Sequence, residues 1–151
     1  MGMNPNMVWH GKKVLSNFDK QFQKRLTLAG ITVEKAAKRS MYESKSGSML
    51  RKPNTHATYQ GSAPGEAPAV RTARLVGSIT TRPAFKDRTG WHCFVGTFGQ
   101  TSDEMGQTGG KPDKYPIYLE LGTRTMRPRP YLRPALDKSR ASIKALFRDI
   151  T

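Results

Sequence analysis

The stretch Ile79-Thr80-Thr81-Arg82-Pro83-Ala84-Phe85-Lys86-Asp87-Arg88-Thr89-Gly90-Trp91-His92-Cys93-Phe94-Val95-Gly96-Thr97-Phe98 decides the fold class. Ile79 to Phe85 reads as a strand and Trp91 to Phe98 as a second, joined by the polar turn Lys86 to Gly90. A period of two puts Trp91, Cys93, Val95 and Thr97 on one face, and His92, Phe94 and Phe98 on the other. The pair predicts an antiparallel hairpin. Just upstream, Thr72 to Ser78 reads as a short helical turn with Thr72 in N-cap position.

Further out the period changes. Between Val14 and about Arg39, Leu15, Phe18, Phe22, Leu26, Ala29, Val33 and Ala37 recur at spacings of three and four, which predicts one apolar stripe on a helix. Lys13, Lys20, Lys24, Arg25, Lys35 and Lys38 fall largely off it. Gly30 costs a helix about 1 kcal/mol against Ala, so it marks a kink or a close contact. Residues 1–11 read as a loose arm. Residues 44–69 lose all periodicity, and their Gly, Ser and Pro content sustains neither a helix nor an interior strand. This long loop orders against a neighbouring subunit or stays a surface loop. Downstream, 99–114 is a polar, Gly-rich loop. Tyr115 to Leu121 is a short apolar helix or strand ended by Gly122, and Arg127 to Pro130 is an extended strap. A last helix, from Tyr131 to Arg148, has Leu132, Leu136, Ile143, Leu146, Phe147 and Ile150 on its inward face, and Pro134 is tolerated in its first turn. The expected fold is α+β: one domain over 1–151, a small antiparallel sheet flanked by a long N-terminal and a C-terminal helix, with long extended loops.

Charge narrows the partners. The 151 residues carry 26 Lys and Arg against 11 Asp and Glu, a net +15, so nucleic acid or another acidic surface is an expected neighbour. Residues 1–40 hold eight basic and two acidic side chains, and residues 120–151 hold eight and three, so basic character gathers on the two helical ends. Cys93, the one cysteine, allows neither an intrachain disulfide nor a Cys-based zinc site. The first 20 residues show no signal-peptide pattern, and no stretch is long enough to span a bilayer. Synthesis and assembly in a host cytoplasm are expected, with no membrane partner.

No catalytic or metal site stands out, and no cofactor is expected. His10, His56 and His92 lie apart, without ligand spacing. Gly106-Gln107-Thr108-Gly109-Gly110-Lys111 is too short for a phosphate loop, and Pro112 stands where Ser or Thr would hold magnesium. Ser62 and Ser78 lack a nucleophile elbow. Asp103 and Glu104 have no apolar surroundings, and Cys93 reads as an inert buried thiol. Arg124, Arg127, Arg129 and Arg133 carry more information: four forked guanidinium groups on a Pro-stiffened strap suit carboxylate or phosphate oxygens. They grip an acidic subunit, lie near passing DNA, or form a solvated basic edge. Aromatic residues placed to stack bases are sparse, and no sequence-reading module is present.

Two segments together carry a resemblance. The first is Ser62-Ala63-Pro64-Gly65-Glu66-Ala67-Pro68 followed by Thr72-Ala73-Arg74-Leu75-Val76-Gly77-Ser78-Ile79. The second is Tyr118-Leu119-Glu120-Leu121-Gly122-Thr123 followed by Arg129-Pro130-Tyr131-Leu132-Arg133-Pro134-Ala135-Leu136. In that order they resemble the tailed-phage minor tail or head–tail joining family of the HK-ninety-seven "gene ten" type, whose members show a "SAPGEPP…TGRLRxSI" and a "YAxxxEFGT…RPFLRPAL" stretch. The likeness spans roughly Gly61 to Leu146. Ala73 replaces the family's Gly, Pro116 stands where the family has small helical residues, and Leu121 replaces an aromatic.

The resemblance implies a structural virion protein without catalysis. It would form a homo-oligomeric ring, commonly of six subunits and alternatively of twelve, in the neck between connector and tail tube. Its partners would be adjacent neck proteins (adaptor, stopper or tail terminator), the tail tube protein, and genomic DNA passing non-specifically through the channel. Arg74, Glu120, Arg124, Arg127, Arg129, Tyr131 and Arg133 are the candidate ring-interface residues. Pro64, Gly65, Glu66 and Pro68 belong to a candidate inter-subunit loop. Tail termination, head completion and non-specific DNA binding are the alternative roles.

Overall fold

A computed structural model describes residues 11–43, 45–52, 56–71, 73–97 and 114–148. Helix α1 (Gly11–Tyr42) is 32 residues long, or about 48 Å at ~1.5 Å per residue. Ala29, Val33, Ala37 and Met41 recur every fourth residue on its buried side. Helix α4 (Leu132–Leu146) runs antiparallel along that side. Tyr131 and Ala135, at the start of α4, share one buried cluster with Ala37 and Met41 of α1. At the other end the rings of Phe147 and Phe22 lie 5.3 Å apart. Arg25 there donates from its guanidinium to Leu146 O at 2.7 Å, satisfying a carbonyl left open at the helix C-terminus.

The mixed α+β fold follows the sequence reading, with corrections at both helices. The apolar stripe on α1 continues past its cover: Leu15 is 66% exposed and Phe18 is 46% exposed, because α4 ends level with Phe22. On α4 the inward seam runs through Ala135, Ser139 and Ile143, whereas Leu136 faces solvent at 45% exposure. Small residues let the two helix backbones approach, and that moves the seam off the bulky position. Ile150 lies outside the described residues.

The hairpin forms as two short ladders. Strand β3 (Ile79–Thr81) pairs antiparallel with β6 (Val95–Thr97), and β4 (Phe85–Lys86) pairs with β5 (Trp91–His92). Arg82 N donates to Phe94 O at 2.9 Å between them. From there to the Phe85–His92 pair, one strand advances three residues and the other two, so Pro83 and Ala84 form a bulge. Pro83 has no N–H for the ladder. Ala84 turns its backbone to α1: its N–H donates to Thr27 Oγ1 at 3.0 Å, and its carbonyl accepts from Gln23 Nε2 at 2.8 Å. The expected facing holds from Trp91 to Val95. Trp91 meets Phe22, and Cys93 and Val95 sit over Gly30, while Phe85, His92 and Phe94 cluster on the outer face. A Cβ on Gly30 would lie 2.6 Å from both Cys93 Sγ and Thr81 Cγ2, so Gly30 marks a close contact. Cys93 is half-buried, and burial pushes its thiol pKa up.

The segment expected to lack structure contains a ribbon. Strands β1 (Met49–Arg51) and β2 (Thr58–Gln60) pair antiparallel, Leu50 opposite Tyr59. Most of their side chains are exposed, so the ribbon needs no apolar face and leaves no strand pattern in the sequence. Helix α2 (Arg74–Ser78) begins after Ala73, which adopts φ 59°, a left-handed conformation that Gly occupies more easily. The expected N-cap, Thr72, lies outside the described residues, as do residues 1–10 of the arm, Phe98 at the end of the second strand, and 99–113 of the second loop. Tyr115–Leu121 is a helix, α3, with Pro116 in its first turn. Among the described residues, the core joins the four helices to the hairpin through Val33, Ala37, Met41, Val76, Ile79, Leu119, Tyr131 and Ala135.

Candidate functional site

Helix α3 and the strap after it form the surface to which the sequence pointed. Pro116 and Leu119 face the core, and Tyr115, Ile117, Tyr118 and Leu121 stand on the outer side, with Leu121 73% exposed. Gly122 ends the helix at φ 78°, its N–H donating to Tyr118 O at 2.8 Å. A Cβ there would meet Met126 O at 2.9 Å. Thr123 then closes a turn: its N–H donates to Met126 O at 2.8 Å, and its hydroxyl oxygen accepts from Met126 N at 3.0 Å.

The two resembling segments lie against each other. Gly65 N donates to Pro128 O at 3.0 Å, and Arg129 Nε donates to Ser62 O at 3.3 Å. Arg129 N also donates to Leu119 O at 2.7 Å. Glu66 holds the other side of its turn, accepting from Ser46 Oγ at 2.6 Å, Ala63 N at 2.8 Å and Ser46 N at 3.1 Å. The Ser46 hydroxyl, then the two backbone N–H groups, lower its carboxyl pKa to about 2.

Several candidate residues take different roles from those expected. Glu120 is engaged within its own chain and is not free for a seam. Its carboxylate accepts from Tyr131 N at 2.8 Å and from Leu132 N and Arg133 N at 3.0 Å each, capping α4 from outside its sequence. Tyr131 is 1% exposed and belongs to the core, where burial and then the charge of Glu120 push its phenol pKa upward. Pro68 is buried too, so in the candidate inter-subunit loop only Pro64 and Gly65 stand fully outward, with Glu66 half-buried. Arg129 is half-buried and bonded as described. Arg124, Arg127 and Arg133 project into solvent, and no ion pair among the described residues includes them. Arg74 is exposed at the start of α2, away from the strap in sequence.

The sequence reading missed the outer face of α3. Its signal was present: a seven-residue helix apolar on nearly every side covers more than one neighbour. His92 Nε2 lies 3.0 Å from Asp87 Oδ1 and 2.8 Å from Thr89 Oγ1, within the hairpin turn. Among the described residues, no group of three or more His, Cys, Asp or Glu is placed to hold a metal ion. No helix among them is long and apolar enough to cross a membrane. Comparison with known protein families, curated proteins and solved structures finds no match to this chain.

Proposed function

We propose that this chain is a structural protein of a tailed-phage virion, a head-to-tail joining or tail completion subunit that forms a ring around the DNA channel and catalyses no reaction. One observation carries the reading: the two segments that resemble the joining family, far apart in sequence, are bonded into one surface by Gly65 to Pro128 and Ser62 to Arg129. Paired segments of that kind are what a shared docking surface requires. The surface also has the composition of a protein interface, with exposed Arg124, Arg127 and Arg133 close in sequence to the outward Tyr115, Ile117, Tyr118 and Leu121 of α3.

Ring contacts are head-to-tail, so this patch must fit a different patch on the next copy or on a neighbouring neck protein. A net charge of +15 makes bare copies repel one another. Self-association of the purified chain is therefore expected to strengthen as salt rises, read by sedimentation. Virions assembled without the chain are the decisive test. Full heads separated from finished tails support a joining role. Overlong tails favour tail termination, and leaking heads favour head completion. Normal infectious virions would remove the proposal.

A further inference from the structure

Both carboxylates of helix α1 turn toward the hairpin. Asp19 pairs with Lys86 at 3.2 Å, and Glu34 pairs with Lys38 at 2.7 Å and accepts from Thr81 Oγ1 at 2.7 Å. Elsewhere on the helix Lys13, Lys20, Lys24, Lys35 and Arg39 are all exposed, at successive spacings of seven, four, eleven and four residues. Each spacing is close to a whole number of turns, so the five form one row about 39 Å long. No carboxylate stands in the row, and no ion pair among the described residues includes its members.

We propose that this row binds the phosphate backbone of double-stranded DNA without regard to sequence. Four of its five cations are lysines. Lysine is a point charge on a flexible stem, which meets phosphates at many registers, and it is depleted in the cores of protein interfaces. The row is as long as roughly one turn of duplex, ~34 Å. Lys20 with Lys24 and Lys35 with Arg39 make two clusters about 16 Å apart along the axis, a gap that spans the ~12 Å major groove. The clusters thus reach phosphates on opposite walls of one groove. The inference rests on the neck reading only for the source of the DNA.

The test uses the full chain and a fluorescent 30-base-pair duplex of mixed sequence, titrated from low to moderate salt. The wild type is expected to bind at low salt and to lose affinity steeply as salt rises. In K20Q/K24Q/K35Q, affinity at low salt should fall at least about tenfold, and the slope of log affinity against log salt should flatten by about 2.7, from three lost contacts at ~0.9 each. Gln keeps the helix propensity of Lys, and an unchanged circular dichroism spectrum verifies folding. R124Q/R127Q should leave the slope unaltered. Absence of binding at low salt, an unchanged slope in the triple variant, or a larger loss in the strap variant would each overturn the proposal. So would displacement of the duplex by poly-glutamate as effective, charge for charge, as by unlabelled duplex, since that favours an acidic protein surface. Finding none of the chain in mature wild-type virions would sink the neck reading and leave these binding data standing.

Discussion

Helix α1 and the strap after α3 are both basic and exposed, yet they are built differently. The α1 cations are mostly lysines on a regular rod, whose position is set by packing at Ala29, Val33 and Ala37 on one side and at Gly30 on another. The strap cations are arginines on an irregular segment, fixed by the Thr123 turn, Pro128, Pro130 and the bonds to Gly65, Ser62 and Leu119. A lysine row tolerates a sliding partner, while arginine forks on a fixed backbone beside an apolar helix face select one shape. On the proposed reading, similar charge would serve two recognition chemistries, because the lysine row depends on helical period and the strap on tertiary hydrogen bonds.

The largest expected effect breaks the strap side. Glu120→Ala removes the acceptor for three backbone N–H groups and should cost about 3 kcal/mol in urea unfolding. Amide exchange should quicken first at residues 129–133, and affinity of the α1 row for duplex DNA should persist. If DNA affinity fell with it in the folded variant, the two surfaces would not be independent.

Next comes the α1 side. Gly30→Ala forces its Cβ against Cys93 and Thr81, and overpacking there should cost about 2 kcal/mol. Cys93 should then react faster with a thiol reagent as the hairpin lifts from the helix, while self-association through the strap should be retained. Unchanged stability and thiol rate would show that the hairpin does not seat on α1 as described.

Ala73→Gly tests the segment that leads from the Glu66 turn into α2. Relief of the left-handed Ala should raise stability by about 1 kcal/mol. A loss instead would mean that the greater freedom of Gly in the unfolded chain outweighs the relief.

The smallest effect concerns pH. Glu66 titrates at about 2 in the folded chain against an ordinary value of 4.5, so between these values the unfolded chain binds more protons. Its contribution is complete above pH 4.5 and is lost as pH falls toward 2. Glu66→Gln should therefore show a shallower fall in unfolding midpoint across that window than the wild type. Equal slopes would mean that the Ser46 and Ala63 contacts do not hold the carboxylate.

Much of the fold was legible because it depends on local period. Spacings of three and four carry α1, and alternation carries the facing of Trp91, Cys93 and Val95. The bulge was not legible: Pro83 warned of an interruption, but the bonds from Ala84 to Gln23 and Thr27 link residues about sixty positions apart. The ribbon at 49–60 was missed because an exposed two-stranded ladder needs no apolar alternation. Of the candidate site, the arginine strap was visible as composition. The inward turn of Glu120 and Tyr131 was not, since it depends on bonds from Glu120 to the backbone of residues 131–133, which no local pattern announces.

Sequence alone determined which residue types could form helices and strands, how the cations would be spaced along α1, and where Gly and Pro would end an element. These follow from backbone geometry and side-chain chemistry within a few residues. Tertiary structure decided how much of the apolar stripe was covered, which small residues became the seam, and which charged groups were spent inside the chain. Glu120 illustrates the difference: the helix N–H groups needing an acceptor are eleven to thirteen residues away, and only packing brings them within 3.0 Å.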